Sequence, residues 1–244
     1  MLSDLHLEFD EYQPLLDEAD VVILAGDIYV GDKGVKWVEK HMKNMPVIYV
    51  LGNHEYWKHA HPKLINDLQV RTKNTNIHIL ENNVVAIEGV NFFGATMWTD
   101  YNINNNKQAA MLVCWQMLND YKRIRTSPKF AKFSPKDNVR IHNESIVWLM
   151  NELDNHRGQK NVVITHHAPS AQSLLPEGET DILNAAYASN LDDVIKKYAP
   201  LLWVHGHTHK SNDYMIGETQ IVSNARGNPY SINRSFKDVF IVDI

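Results

Sequence analysis

The chain has 244 residues, 44% of them apolar, which suits one large domain or two small ones with a sizeable core. A net charge of −5 provides no global basic field and argues against a nucleic-acid partner. The single cysteine, Cys114, excludes an internal disulfide, and no apolar run approaches the roughly 18 residues of a membrane span. With no basic-then-apolar leader in view, the expected compartment is the cytoplasm and no membrane partner is expected.

Met1-Leu2-Ser3-Asp4-Leu5-His6 opens the chain. Asp4 and His6 are two apart, so in an extended segment they point to the same side, as a two-toothed metal clamp or as an ordinary exposed edge. The strand before Asp4 has only three residues, so it is either stunted or begins further upstream. Residues 11–18 read as a helix. Residues 21–25 read as a buried strand ending in Gly26-Asp27. Residues 33–43 place Val35, Val38 and Met42 on one helical face. Pro46 then introduces 47–51, too short and too β-branched for a helix, which runs into Gly52-Asn53-His54-Glu55. Strand–helix–strand alternation marks an α/β layer, and open sheets of that kind bind ligands at the carboxyl ends of their strands.

Residues 59–71 read as another helix. Strands at 77–80, 84–87 and 91–95 are separated by turn signals, and their close spacing predicts antiparallel hairpins in a mixed sheet. From 99 to 153 the character changes. Helices at 108–121 (Ala110, Val113, Met117, Tyr121) and 142–154 (Ile146, Leu149, Met150, Leu153) flank a basic loop with Lys122, Arg123, Arg125, Lys129, Lys132, Lys136 and Arg140. That loop is either a solvated linker or part of an inserted cap whose cations, Arg123 and Arg125 first, hold an anionic substrate. Residues 161–165 form a buried strand ending in His166-His167. Asn190 is the expected cap of a helix with Leu191, Val194, Ile195 and Tyr198 inside. Residues 201–204 lead into His205-Gly206-His207-Thr208-His209, and strands near 220–223 and 239–242 close the chain. No repeat or linker divides it, so 1–244 reads as one domain with 99–153 as a helical insertion.

Five strand ends thus carry Asp4 and His6, Asp27, Asn53 and His54, His166, and His207 and His209. Gathering so many polar groups at one rim needs compensation, and a metal pair supplies it. The donor set of Asp, Asn and His, without thiolate, suits Mn²⁺, Fe²⁺ or Zn²⁺. Glu55 reads as an acid at a helix start, and His167 and His205 as neighbours available for supporting hydrogen bonds.

Asp-x-His, Gly-Asp, Gly-Asn-His-Glu, a His after a strand and Gly-His-x-His, in this order, resemble the calcineurin-like metallophosphoesterase superfamily over nearly the whole chain. The resemblance implies a four-layer αββα sandwich of two mixed β-sheets flanked by helices, with two divalent ions between the sheet ends. Carried over by position, Asp4, His6 and His209 bind the first ion, Asp27 bridges, and Asn53, His166 and His207 bind the second. His54 faces the substrate phosphate as the catalytic group. Choosing His166 over His167 rests on the resemblance. Paired ions lower the pKa of a bound water, so that hydroxide attacks phosphorus at neutral pH. The implied activity is hydrolysis of a small-molecule phosphoester, a diester in particular. A nuclease using the same metals and a non-catalytic metal-binding scaffold are the alternatives. Gly26-Asp27-Ile28-Tyr29 departs from the pattern of phosphoprotein phosphatases, which leaves the group that orients His54 unassigned. His54 stands where lipid-A pyrophosphatases of the superfamily carry Arg.

Overall fold

The alternation of side chains along the apolar runs builds the layers. In the computed structural model, which describes residues 1–16, 19–174 and 181–244, the elements in chain order are β1 (Val22–Ala25), α1 (Lys33–His41), β2 (Val47–Val50), β3 (Ala60–His61), α2 (Lys63–Arg71), β4 (Ile77–Leu80), β5 (Asn83–Ile87), β6 (Val90–Ala95), α3 (Lys107–Met117), α4 (Asp120–Arg123), β7 (Arg125–Thr126), β8 (Ala131–Lys132), α5 (Pro135–Asn155), β9 (Lys160–Thr165), α6 (Asp192–Tyr198), β10 (Leu202–His205), β11 (Ser211–Ile216), β12 (Thr219–Asn224), β13 (Gly227–Asn228) and β14 (Ser231–Ile232). Strands β1, β2 and β4 form a parallel sheet. A six-stranded sheet has the order β11-β12-β10-β9-β6-β5, parallel at its centre and antiparallel at both edges.

Ile23, Ala25, Ile48 and Val50 of the smaller sheet pack against Phe92, Val162, Ile164, Val204 and Val222 of the larger. The alternate residues, Val22, Leu24, Val47 and Tyr49, turn the other way onto Val35 and Val38 of α1 and Leu64 and Leu68 of α2. On the far face of the larger sheet, Phe93, Val163, Trp203 and Ile221 meet Leu149 and Leu153 of α5 and Ile195 of α6. A side-chain period of two therefore yields helix, sheet, sheet, helix. The opening residues stitch the sheets together: Leu2 bridges Leu24 of β1, and Ser3 bridges Ala225 just past β12. This two-residue link is what remains of the short first strand, and it brings the carboxyl ends of both sheets to one rim.

Several elements differ from the sequence reading. Residues 11–16 are not helical, and 17–18 lie outside the described residues. The helix expected from 59 starts only at Lys63, because Ala60–His61 pair as β3 with β7. Strand β4 joins the smaller sheet rather than a hairpin with β5, so of the expected hairpins among these three strands β5–β6 alone forms. The helix read at 108–121 ends at Met117, which is exposed; α3 buries Ala110 and Cys114, and Tyr121 belongs to α4. Helix α5 begins seven residues before expectation, at Pro135, where the Ser134 hydroxyl accepts from Asp137 N and the Asp137 carboxylate accepts from Ser134 N. The helix at 192–198 is preceded by Leu191, not capped by Asn190. Residues 239–242 form no strand. The edge strand β11 went unread because Ser211-Asn212-Asp213-Tyr214-Met215 shows little apolar run.

Candidate active site

Every metal-ligating type of side chain singled out in the sequence stands at this rim. Asp27 follows β1, Asn53 and His54 follow β2, His166 follows β9, and His207 and His209 follow β10. Asp4 and His6 run beside the loop after β1: Asp4 N donates to Gly26 O at 2.9 Å, His6 N to Asp27 O at 3.0 Å, and Leu7 N to Ile28 O at 3.0 Å. Two glycines permit this density. A Cβ on Gly26 (φ +86°) would run into the His166 ring, and one on Gly52 into the Asp27 carboxylate. Asp4, His6, Asp27, His207 and His209 all take left-handed backbone, with φ between +47° and +67°. Each costs about 1–3 kcal/mol and persists only where surrounding bonds impose it, as at functional sites.

The side chains form two adjoining clusters. In one, His6 Nε2 and His209 Nε2 lie 2.9 Å apart, with Asp4 Oδ1 3.6 Å from His209 and Asp27 Oδ2 3.8 Å from His6. In the other, His166 Nε2 lies 3.0 Å from Asn53 Oδ1, 3.1 Å from His207 Nδ1 and 3.5 Å from Asp27 Oδ1. The two oxygens of Asp27 thus face different clusters. The hydrogen-bonding roles test whether cations fit. His166 Nδ1 donates to Ala25 O at 2.9 Å, which leaves its Nε2 lone pair inward. Asn53 Nδ2 donates to Asp120 Oδ1 at 3.0 Å, which turns its oxygen inward as well. His6 Nδ1 donates to Glu8 Oε1 at 3.3 Å and again leaves Nε2 free. Lone pairs converge in each cluster, and a divalent cation placed there would satisfy them. Without a cation the charge falls on protons. Burial alone would lower the His166 pKa, but the Asp27 and Asp4 carboxylates push it up to about 10. Burial would raise Asp27, yet His166, His54 and His6 hold it well below the carboxylate range.

His54 borders the first cluster, its ring 4.4 Å from that of His6. Its Nδ1 donates to Glu8 Oε1 at 2.6 Å, its ring stacks on Trp57 at 3.5 Å, and its Nε2 lies 3.9 Å from Asp27 Oδ2. Burial opposes its protonation, but Asp27 and Glu8 outweigh that and raise its pKa. Glu8 is the orienting partner that the sequence reading left unassigned. Its only signal is its place two residues beyond His6. Asp120, from the start of α4, was also missed: its half-buried carboxylate accepts from Asn53 Nδ2 and, at 2.7 Å, from Trp57 Nε1.

Glu55 starts no helix. It is fully buried and accepts from Asp27 N, Ile28 N, Gly52 N and the Tyr49 hydroxyl at 2.7–3.0 Å, holding the loops after β1 and β2 together. Burial and Asp27 push its carboxyl up to about 7, against the Tyr49 hydroxyl, the charge of His166 and the Ile28 N–H. Glu55→Ala is expected to cost about 3 kcal/mol, since it orphans three buried N–H groups. A melting curve checks this; an unchanged midpoint would remove the staple from the account.

His167 Nδ1 donates to Thr96 O at 3.0 Å, and burial pushes its pKa down to about 3. His205 Nδ1 donates to Gly206 O while its Nε2 meets the Ser173 hydroxyl at 2.8 Å. Both rings bond to neighbouring chain rather than entering the clusters. Of the basic loop, Arg123 lies over the Trp57 ring at 4.2 Å and so reaches the mouth of the site. Arg125 donates to its own loop at Lys122 O and Ile124 O, and Arg140 pairs with Glu144.

The model of the calcineurin-like phosphoesterase family matches residues 1–211. The chain belongs to that family, whose members are hydrolases of phosphoester bonds that use divalent metal ions. An uncharacterized protein of Acanthamoeba polyphaga mimivirus is 27% identical over 277 aligned positions, covering 100% of this chain and 95% of that protein. The fold is similar to the crystal structure of phosphopantetheinyl hydrolase from Mycobacterium tuberculosis, with a TM-score of 0.74 at 17% identity, over 94% of this chain and 89% of that one. Among the described residues, no helix is long and apolar enough to cross a membrane.

Proposed function

We propose that the protein is a dinuclear metal-dependent phosphohydrolase that cleaves a small-molecule phosphoester, by preference a diester. The observation that carries this reading is the convergence of inward lone pairs at two adjoining points that share Asp27. Asp4, His6, His209 and Asp27 would hold one ion, and Asp27, Asn53, His166 and His207 the other, with Mn²⁺, Fe²⁺ and Zn²⁺ the candidates. When bound, such a pair supplies a nucleophile derived from water at neutral pH and offsets charge on the phosphoryl oxygens. His54, tethered through Nδ1, presents Nε2 to the substrate and gives a proton to the departing alkoxide. Arg123, and Arg125 through the loop it fixes, would meet further negative charge on the substrate. Residues 1–244 act as one domain, and 99–153 form the insertion that delivers Asp120 and Arg123 to the mouth. The single buried Cys114 suits a cytoplasmic setting.

The experiment is hydrolysis of bis(p-nitrophenyl) phosphate beside p-nitrophenyl phosphate, by metal-stripped enzyme and then with each ion added. Metal-dependent turnover with faster diester cleavage is expected. Inertness with all three ions would sink the proposal. Asp120 supplies a second check, because its carboxylate is what turns the Asn53 oxygen inward. Asp120→Ala should weaken the affinity for one of the two ions about 10–100-fold, with Asp120→Asn milder because it keeps an acceptor. Calorimetric metal titration reads this, and unchanged affinity in Asp120→Ala would refute it.

A further inference from the structure

Phe9 and Tyr230 are large rings left in the open beside the site: Phe9 is 45% exposed and Tyr230 90%. Their centroids lie 6.3 Å apart at 85°, an edge-to-face pair, and the Phe9 ring is 6.5 Å from His54 and 6.1 Å from His6. They come from opposite ends of the chain. Phe9 follows the Asp4–His6 segment, and Tyr230 tips the β13–β14 hairpin. Arg226 clamps the two together: its guanidinium meets Asp10 Oδ2 at 2.7 Å and Leu5 O at 3.3 Å and lies over the Tyr12 ring at 5.1 Å, while its backbone N donates to Ser3 O at 3.0 Å. The segment that carries Asp4 and His6 therefore also sets the position of both rings relative to His54.

Single exposed apolar residues are ordinary, but two rings held together at the rim of a charged cluster leave aromatic surface in water that a ligand can cover. We propose that Phe9 and Tyr230 form a platform for a planar aromatic ring on the substrate's leaving group, so that the protein selects phosphoesters bearing such a ring. This inference rests on the phosphoesterase reading, in which His54 serves the leaving oxygen; Phe9, one ring further out than His54, then lies along the path the leaving group takes. An aromatic partner is favoured over a saturated one because the tilted pair presents both a ring face and a ring edge, and the quadrupoles of planar rings match both.

Inhibition of bis(p-nitrophenyl) phosphate hydrolysis by phenethyl phosphate, cyclohexylethyl phosphate and methyl phosphate tests this. The wild type is expected to bind phenethyl phosphate about three- to tenfold more tightly than its saturated twin, the margin of an aromatic contact beyond area alone. Tyr230→Ala and Phe9→Ala should erase that margin with methyl phosphate binding unchanged, and Tyr230→Phe should keep it. Equal affinity for the two ring compounds, or a margin that survives both alanine variants, overturns the platform. Calorimetry with the same three compounds on Mn²⁺-loaded protein gives the ratios without turnover. A protein that shows the aromatic margin but hydrolyses nothing refutes the phosphoesterase reading and leaves the platform supported.

Discussion

Asp27→Ala is expected to empty both metal positions and lower kcat/KM by about 10³-fold or more. Among the described residues Asp27 is the one carboxylate facing both clusters, with Oδ2 3.8 Å from His6 Nε2 and Oδ1 3.5 Å from His166 Nε2. If each cluster holds an ion, removing Asp27 would take one negative ligand from both at once. It also leaves His54 N, which donates to Asp27 Oδ1 at 2.8 Å, without its acceptor. The Lewis-acid contribution of such ions is several kcal/mol of transition-state charge, and each 1.36 kcal/mol is tenfold in rate, so a loss near 10³ follows. Asp27→Asn separates the terms: it keeps an oxygen for His54 N and loses the charge. Elemental analysis of the purified variants should show both ions lost in Asp27→Ala and metal content lowered in Asp27→Asn. Two retained ions in Asp27→Ala would mean that this carboxylate does not bridge.

The gathering of the rim was legible because it depends on local chemistry repeated after four strands, β1, β2, β9 and β10. Short β-branched runs make buried strands, Gly26 and Gly52 are needed where side chains of neighbouring loops crowd the turn, and Asp, Asn or His follows each. The groups that orient the site were not legible, for three different reasons. Asp120 reaches Asn53 from the start of α4, 67 residues away, a contact fixed by packing that no spacing rule encodes. Glu8 follows Asp4 and His6 at the same interval, but left-handed backbone at Asp4 and His6 breaks the alternation that an extended strand would impose. Glu55 sits where a helix-starting acid would sit, and only its four donors distinguish a buried staple from that ordinary role. The misplacement of β4 has the same origin. Its apolar pattern suits either sheet, and pairing with β2 follows from α2 covering both strands of the smaller sheet, a tertiary preference. The start of α5 was available locally: Ser134-Pro135-Lys136-Asp137 is a cap followed by proline at the first helical position.

His54→Ala should leave both ions bound and yet slow hydrolysis of an alkyl ester about 10²–10⁴-fold, the range for losing a positioned general acid. The geometry explains the separation. His54 Nδ1 is engaged by Glu8 at 2.6 Å and the ring is pinned by Trp57 at 3.5 Å, so the side chain is held in place by contacts other than the residues proposed as ligands. Asp27 and Glu8 raise its pKa against the opposing effect of burial, which favours the proton on Nε2 that a departing alkoxide needs and a stable phenolate does not. The defect should therefore scale with the leaving group: large for an alkyl diester, small for bis(p-nitrophenyl) phosphate, whose leaving group departs without help. Glu8→Gln should reproduce the same pattern in weaker form through His54, and because Glu8 Oε1 also accepts from His6 Nδ1 at 3.3 Å, a small fall in metal affinity at that cluster should accompany it. Comparing kcat for the two esters across wild type, His54→Ala and Glu8→Gln reads all of this. An equal loss on both esters would assign His54 to stabilising charge on the phosphoryl oxygens instead of protonating the leaving group. Loss of metal in His54→Ala would move it into the ligand set beside Asp27, a grouping with His6 that the spacing of these three side chains also permits.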